Sequence, residues 1–500
     1  MDFFTQGVCN VVLLNEVACR IDGLTPINRT KVMQAVTLID PKAKYTPQGR
    51  LGRWDGSVVF MKMGGQTYIN LLPLVLTKMS ELGIKVTMED QRIKHNFQLP
   101  AIDETLFSYV KFPAGHTLEG QPILLRPHQV RAVNAALEKQ RGVINAATGA
   151  GKTLITAALS KSVEQYGRSI VIVPSTDLVT QTEDDYKLVG LDVGVFYGTR
   201  KEFGHKHTIC TWQSLGHLWN KTKREELGVS DKDFHEFLDG VVCVMGDEAH
   251  TSAGEVLRDI LEVAMGHIPL RWGLTGTIPK DKIAEMKVRC NFGTCIVKIT
   301  AKELQTLGVL SNCHVNVVKM MSSLKFKTYH EENAYLTTDP TRMAYIAKML
   351  TKISESGNTL ILVNNIATGK ALLKELGLPK EHFVSGSTKK TSRKEAYSTF
   401  NDVDNAIYIA TYGVASTGIS ISRIFNLVLF EAGKSFTRTI QSVGRGLRVA
   451  KDKDYVNIYD ICGSNKFSAR HLSERKMFYD ECEYPYNEVK IKEVDWNTSA

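Results

Sequence analysis

Apolar residues in this chain recur with two different spacings. From about residue 120, short and nearly continuous apolar runs alternate with segments of helical periodicity. The runs Gly142–Ala146, Ser169–Pro174, Thr208–Thr211, Val241–Gly246 and Trp272–Thr275 predict strands. Being β-branched and apolar on both faces, they suit a parallel sheet covered by helices on either side. A second series repeats the pattern at Thr359–Val363, His382–Val384, Ala406–Ala410, Leu427–Phe430 and Tyr455–Ile458. Met320–Lys327 and Thr337–Thr341, poor in helix signals, mark the break between the two series. Two consecutive doubly wound units are the economical reading.

Residues 1–115 follow another rhythm. Ser57–Met61 reads as a strand before the turn at Gly64-Gly65, Leu71–Leu82 as a helix, and Ile84–Met88 as a strand after Gly83. The predicted fold class is therefore α/β, with a small N-terminal α/β domain (1–115), two parallel-sheet lobes (120–300 and 301–465) and a C-terminal extension (466–500).

Composition narrows this picture without changing it. Hydrophobic residues make up 43% and charged residues 23% of 500 positions, which excludes a mainly disordered, collagenous or fibrous chain. No apolar run approaches the ~20 residues of a membrane-spanning helix. The N-terminus has Asp2 and no basic residue before its short apolar patch, unlike a secretory signal. Nine scattered cysteines with no CxxC pair argue against zinc and fit reduced thiols in a cytoplasm. The net charge of +9 is compatible with a polyanionic partner but does not require one.

Chemistry enters where strand Gly142–Ala146 runs into Ala146-Ala147-Thr148-Gly149-Ala150-Gly151-Lys152-Thr153, followed by a predicted helix. Glycines let such a loop turn its N–H groups toward phosphate oxygens, and the helix N-terminus adds its dipole. Thr148, Gly149, Ala150 and Gly151 would cradle the phosphates, Lys152 would reach the β- and γ-phosphates, and Thr153 would ligand Mg²⁺. The bland alternative is a glycine-rich turn with a stray lysine. Further on, Val241–Met245 ends in Gly246-Asp247-Glu248-Ala249-His250. Carboxylates at the carboxyl end of a parallel strand sit where ligands bind in such sheets. Asp247 would hold Mg²⁺, and Glu248 would orient and activate an attacking water.

With these two motifs in order, the chain resembles the superfamily-two helicases and translocases of the DEAH-box type over about residues 120–465. Arg126-Pro127-His128-Gln129 looks like the family's adenine-reading element, which makes Arg126 and Gln129 nucleotide contacts. Val173-Pro174-Ser175-Thr176 and Thr211-Trp212-Gln213-Ser214 resemble its nucleic-acid contacts, implicating Ser175, Thr176, Thr211, Trp212 and Gln213. Leu274-Thr275-Gly276-Thr277 resembles its coupling motif, so His250, Thr275 and Thr277 are the expected coupling residues. Ala410-Thr411-Tyr412-Gly413 through Thr417-Gly418-Ile419-Ser420 resembles a composite strand-and-nucleotide motif, with Thr411 and Gly413 on nucleic acid and Gly418 on ATP. Gln441, Arg445 and Arg448 are spaced to share one helix face. They match the family's Gln-x-x-Gly-Arg-x-x-Arg, which implies Arg448 as the arginine finger and Arg445 as a γ-phosphate partner. The implied fold is two tandem RecA-like lobes, and the implied cofactors are ATP and Mg²⁺.

More narrowly, the chain resembles the UvsW-type phage branch-migration helicases. Leu51-Gly52-Arg53-Trp54-Asp55-Gly56-Ser57-Val58 is similar to that family's segment ahead of the motor, which puts Arg53 and Trp54 among the expected DNA contacts. The resemblance implies an ATP-driven helicase, moving 3′ to 5′, that unwinds or branch-migrates forks and Holliday junctions in phage recombination, repair and replication. Its implied partners are single-stranded and branched duplex DNA and phage recombination or replication proteins. A monomer in the cytoplasm of the infected host, with no membrane association, is expected. Three alternatives stay open on sequence: an RNA helicase or remodeller, the motor subunit of a restriction system, and a nucleotide-switched module that does not translocate. Trp54, Trp212 and Trp272 read equally as core residues and as base-stacking ones. Phe478, Tyr479, Tyr484 and Tyr486 read as packing of the C-terminal extension.

Overall fold

The computed structural model describes residues 7–114, 118–224, 232–388, 390–416, 421, 423–433, 453 and 455–497. The chain forms two compact units, residues 1–146 with 151–298, and residues 147–150 with 299–500.

The first unit opens with a four-stranded sheet in the order Gln66–Tyr68, Ala18–Asp22, Cys9–Leu13, Val86–Asp90. Its pairs are antiparallel, apart from the parallel pairing of Cys9–Leu13 with Val86–Asp90. Cys9, Val11 and Leu13 share one buried face with Cys19 and Ile21 on the neighbour, and Val12 is buried on the other face. Helices Pro26–Ala35 and Leu72–Glu81 cover this face with Val32, Val75 and Met79. Pro26 and Pro73 occupy first-turn positions, where the missing N–H costs no helical bond. A separate antiparallel ribbon pairs Thr37–Ile39 with Ser57–Val59.

The larger sheet of this unit has eight strands, in the order Arg200–Lys201, Val193–Tyr197, His207–Thr211, Arg168–Val173, Val241–Asp247, Leu270–Thr275, Arg141–Ala146, Cys295–Ile299. The central pairings are parallel. All five strands predicted here are present. Val193–Tyr197, Arg200–Lys201 and Cys295–Ile299 were not predicted. Paired across the two central strands are Gly246 and Gly273. A Cβ on Gly246 would lie 2.8 Å from Phe292 Cζ, and one on Gly273 would lie 3.0 Å from Phe292 Cδ2. Phe292, at the end of helix Lys282–Phe292, thus seats its buried ring on two bare backbones.

That helix belongs to two cores. Phe292 packs in the core of the large sheet, while Cys290, Ile283 and Met286 pack into the core of the N-terminal sheet. Polar contacts follow the same seam. Asn70 Nδ2 donates to Cys290 O (3.0 Å), and Arg289 Nε donates to Asn70 O (3.2 Å). Tyr68 donates its hydroxyl proton to Glu262 Oε2 at 3.0 Å. The buried carboxylate of Glu16 joins Arg92 (3.1 Å) and Arg141, and Glu16 N donates to Gly266 O at 2.8 Å. Deeper still, the fully buried Arg271 spends its guanidinium on the carbonyls of Asn291 (3.0 Å), Met265 (2.6 Å) and Leu261 (2.8 Å). Burial pulls its pKa down to about 9.

The second unit is built on a seven-stranded sheet whose described pairings are all parallel. Its order is Phe383–Val384, Ile407–Thr411, Thr359–Val363, Asn426–Phe430, Tyr455–Gly463, Asn312–Met320, Tyr486–Ile491. Five strands fall at the predicted places. The strand Asn312–Met320 was not predicted, nor was Tyr486–Ile491, which carries the C-terminal residues into this sheet. Helix Lys466–Glu481 ties the same region down: buried Arg475 grips Asp460 with two bonds (2.8 and 2.9 Å), and Tyr479 donates to the same carboxylate at 2.8 Å. Phe478, Tyr479 and Tyr484 are buried, in line with the packing reading. Trp272 is core as well, its indole N–H donating to Ala136 O at 3.0 Å.

The glycine pair gives a direct test. Gly246→Ala is expected to destabilise the protein by about 1–3 kcal/mol, the usual cost of overpacking a filled core. Adding Phe292→Leu should recover part of that loss in denaturant unfolding. Full stability of the single variant would show that Phe292 is not seated on these backbones.

Candidate nucleotide and nucleic-acid site

Thr148 to Gly151 make the turn between strand Arg141–Ala146 and helix Lys152–Val163. The turn needs left-handed backbone at Gly149 (φ +91°) and Gly151 (φ +77°), which L side chains rarely adopt. Gly151 is the N-cap, so no cap side chain competes for the first amides of the helix. Space also demands a glycine there: a Cβ on Gly151 would lie 2.3 Å from Gln129 Nε2. Gln129 is itself buried and fixed, its Oε1 accepting from Arg126 N at 2.8 Å as helix Pro127–Lys139 begins. The proposed adenine-reading residue therefore lies against the proposed phosphate loop, with Arg126 exposed beside it.

Four predicted residues, Lys152, Glu248, His250 and Thr275, meet at the carboxyl edge of the large sheet. Lys152 Nζ lies 3.1 Å from Glu248 Oε1. Glu248 Oε2 lies 3.3 Å from His250 Nδ1, which in turn is 3.0 Å from Thr275 Oγ1. The Thr275 hydroxyl donates to Thr277 O (2.8 Å) and accepts from Thr277 N (3.3 Å). A hydroxyl has one proton. Since it goes to Thr277 O, Thr275 must accept from His250, which assigns the histidine proton to Nδ1. Glu248 reaches this position in left-handed backbone (φ +51°), uncommon for a residue with a side chain. Asp247, the last residue of its strand, holds the turn by accepting from Glu248 N at 2.9 Å.

This donor set fits a nucleoside triphosphate. A cation, two adjacent carboxylates and a helix N-terminus converge, the combination that phosphates and their metal require. Lys152, Thr153 and Asp247 are the residues that would hold such a group. No cluster of three or more His, Cys, Asp or Glu able to hold a metal by itself occurs among the described residues.

The proposed strand contacts are more varied. Ser175 caps helix Thr176–Leu188, its Oγ accepting from Leu178 N at 3.4 Å, and Thr176 beside it is exposed. Thr211 is buried, its hydroxyl donating to Ser214 Oγ at 3.0 Å. Trp212 is half-buried against the core, and Gln213 is exposed. In the second unit, Thr411 ends its strand buried and Gly413 is exposed. Arg53 is exposed, but Trp54 is half-buried and donates its indole N–H to Ser57 O at 2.9 Å. Gly418, Gln441, Arg445 and Arg448 lie outside the described residues. Sequence reasoning missed the seat of Phe292 on Gly246 and Gly273, which orients the strand ending in Asp247. Two glycines in separate apolar runs carry no signal of their pairing.

Known proteins share the sequence pattern and the fold of this chain. Residues 122–280 match the family model of the type III restriction enzyme res subunit, and residues 341–450 match the helicase conserved C-terminal domain. The chain is 25% identical over 462 residues to the ATP-dependent DNA helicase uvsW of Enterobacteria phage T4, covering 87% of both chains. It is 25% identical over 370 residues to the putative helicase 22 of Sulfolobus islandicus filamentous virus, covering 69% of this chain and 64% of that one. The fold is similar to a fragment of a putative type I restriction HsdR subunit from Vibrio vulnificus, with TM-score 0.55, 18% identity and coverage of 88% and 79%. The ordered motifs, the two parallel sheets and the paired domain matches together show that the chain belongs to the superfamily-two helicases.

Proposed function

We propose that this protein is an ATP-driven DNA helicase that remodels branched DNA, unwinding or branch-migrating forks and four-way junctions with 3′-to-5′ movement. The observation that carries the reading is the chain from Lys152 through Glu248 and His250 to Thr275. Family membership and similarity to a phage DNA helicase across most of both chains support it. Bound ATP, with Mg²⁺, would supply a phosphoanhydride bond for hydrolysis. Lys152 and the amides at the start of its helix would neutralise phosphate charge, and Thr153 and Asp247 would hold the metal. Glu248 orients water and takes its proton, held in place by Lys152 and His250. His250 reports the state of Glu248 to Thr275, the last residue of the neighbouring strand, and to Thr277 just beyond it. By resemblance, Gln441, Arg445 and Arg448 complete the ATPase residues.

Residues 1–115 serve as the DNA-reading domain in this proposal, with 120–300 and 301–465 as the motor lobes and DNA gripped mainly through its phosphates. The match to a restriction res subunit favours a second reading, the motor of a restriction system. ATP turnover and product analysis on single strands, duplexes, forks and four-way junctions, in DNA and RNA, separates the two readings. A restriction motor would consume ATP on duplex DNA and leave junctions unresolved, whereas stimulation by RNA alone would sink both.

Lys152→Ala should abolish ATP turnover, and Glu248→Gln should retain ATP while slowing hydrolysis on the order of 10²-fold or more. Near-normal turnover in either variant would refute the assignment. Thr275→Val keeps the side-chain shape but removes the acceptor for His250. It should lower kcat on the order of ten-fold, with ATP affinity within about three-fold, as expected for a lost hydrogen bond felt only in the reaction. A loss confined to affinity would detach this hydroxyl from hydrolysis.

A further inference from the structure

After the acidic pair the chain does not wind as one helix. Ala249–Ala253 form a 3₁₀ turn and Glu255–Asp259 a short α-helix. Ile260–Ala264 then form a π turn, in which Met265 N donates to Ile260 O at 2.9 Å. Such turns are rare and recur at functional positions. In an α-helix, Met265 N would take Leu261 O instead. That carbonyl is held by the buried Arg271, whose Nη2 donates to it at 2.8 Å while Nη1 donates to Met265 O at 2.6 Å. The wide turn is thus kept by a side chain of strand Leu270–Thr275, whose last residue is the partner of His250. Two discrete hydrogen-bond registers are open to this segment, and Arg271 selects one of them.

The same segment supports an element expected to touch the DNA strand. Helix Trp212–Arg224 begins at the expected contacts Trp212 and Gln213. Its Leu215 and Leu218 share a core with Leu257, Ile260 and Leu261. The approach is close: a Cβ on Gly216 would lie 3.0 Å from Val256 Cγ1. A polar bond crosses this contact, from Trp219 Nε1 to Asp259 Oδ2 at 2.7 Å. Its acceptor is a carboxylate, which makes it one of the stronger kind. Asp259 immediately precedes the π turn, so a change of register there shifts Asp259 relative to the sheet and draws Trp219 with it. From the other side, Tyr68 of the N-terminal sheet donates to Glu262, within the turn, at 3.0 Å.

We propose that this π turn carries the state of the ATP site to the helix that begins at Trp212, with Asp259 and Trp219 as the positioning residues. Loss of the γ-phosphate alters the contacts of Glu248, His250 and Thr275. Strand Leu270–Thr275 passes that change to Arg271, the turn passes it to Asp259, and Trp219 moves the helix. The result is a different affinity for DNA in each nucleotide state, which ATP-driven movement requires. The proposal rests on the DNA-helicase reading above.

The test uses the full-length protein, a fluorescent single-stranded DNA and ADP–beryllium fluoride in place of ATP. Wild-type affinity for the strand should differ on the order of ten-fold with and without the nucleotide, a usual size for coupling between two sites. Trp219→Phe keeps an aromatic ring and loses the donor, and Asp259→Ala loses the acceptor. In each variant that difference should shrink to within about two-fold. ATP turnover without DNA should stay within about two-fold of wild type, while its stimulation by DNA falls on the order of ten-fold. Asp259→Asn retains an acceptor oxygen and should keep most of the coupling. Trp219→Phe combined with Asp259→Ala should lose no more coupling than either alone, since all three remove the same bond. A wild-type nucleotide effect on DNA affinity in both single variants would overturn the proposal. So would an equal loss of turnover with and without DNA, the mark of a bond that only completes the packing. A wild type whose turnover no DNA stimulates would overturn the helicase reading itself, an outcome distinct from a stimulated wild type with indifferent variants.

Discussion

Two strands at the centre of the large sheet must pass beneath one aromatic ring without side chains of their own. Gly246 and Gly273 face each other in register, and the buried Phe292 fills the space their missing Cβ atoms leave. Much else in the first unit hangs on that contact. It draws helix Lys282–Phe292 onto the sheet, and the carboxyl ends of both glycine strands lie just beyond it. One of these strands ends in Asp247 and leads to Glu248; the other ends in Thr275. The spacing that brings His250 within 3.0 Å of Thr275 is thus set by main-chain packing rather than by the polar groups themselves.

Charge is handled in a consistent way. Where cations are buried, their partners are complete: Arg271 binds three carbonyls, and Arg475 meets Asp460 edge on. Removing one partner of such a buried pair leaves a charge stranded in low dielectric, at a cost of about 3–5 kcal/mol. Glu431 is different. Burial pushes its carboxyl up, although Arg342 and Ser468 lie against it. These groups hold shape. At the carboxyl edge of the large sheet, Lys152 and Glu248 remain partly open to solvent, as groups must that exchange partners during a reaction.

Much of this was legible in sequence because parallel strands buried on both faces are written as unbroken apolar runs. Val171, Val244 and Leu429 sit in such runs and at the centre of the sheets. Strands at or next to the sheet edges escaped notice for other reasons. Half of Tyr486–Ile491 is polar in sequence, and Asn487, Val489 and Lys490 are exposed, so no apolar run announces it. Val193–Tyr197 is interrupted by Gly194, which closely abuts His205. The phosphate loop was readable because its geometry demands glycine at fixed offsets. The hold of Lys152 on Glu248 was not, since those residues are far apart in the chain and meet only through the sheet order. Trp54 read equally as core and as base contact in sequence; in the structure its ring is half-buried and its N–H is bonded to Ser57 O.

The helix that ends at Phe292 also settles what kind of part the N-terminal sheet is. Its Cys290, Ile283 and Met286 complete a core whose other members lie within the first hundred residues. Glu16 reaches Arg141, and Tyr68 reaches Glu262, across the same seam. The N-terminal sheet is therefore not a module strung onto the larger one. Its hydrophobic core is finished by a helix from the far end of the unit, so the two share a folding fate, and any exchange of one domain for another would have to carry the sequence of that helix with it.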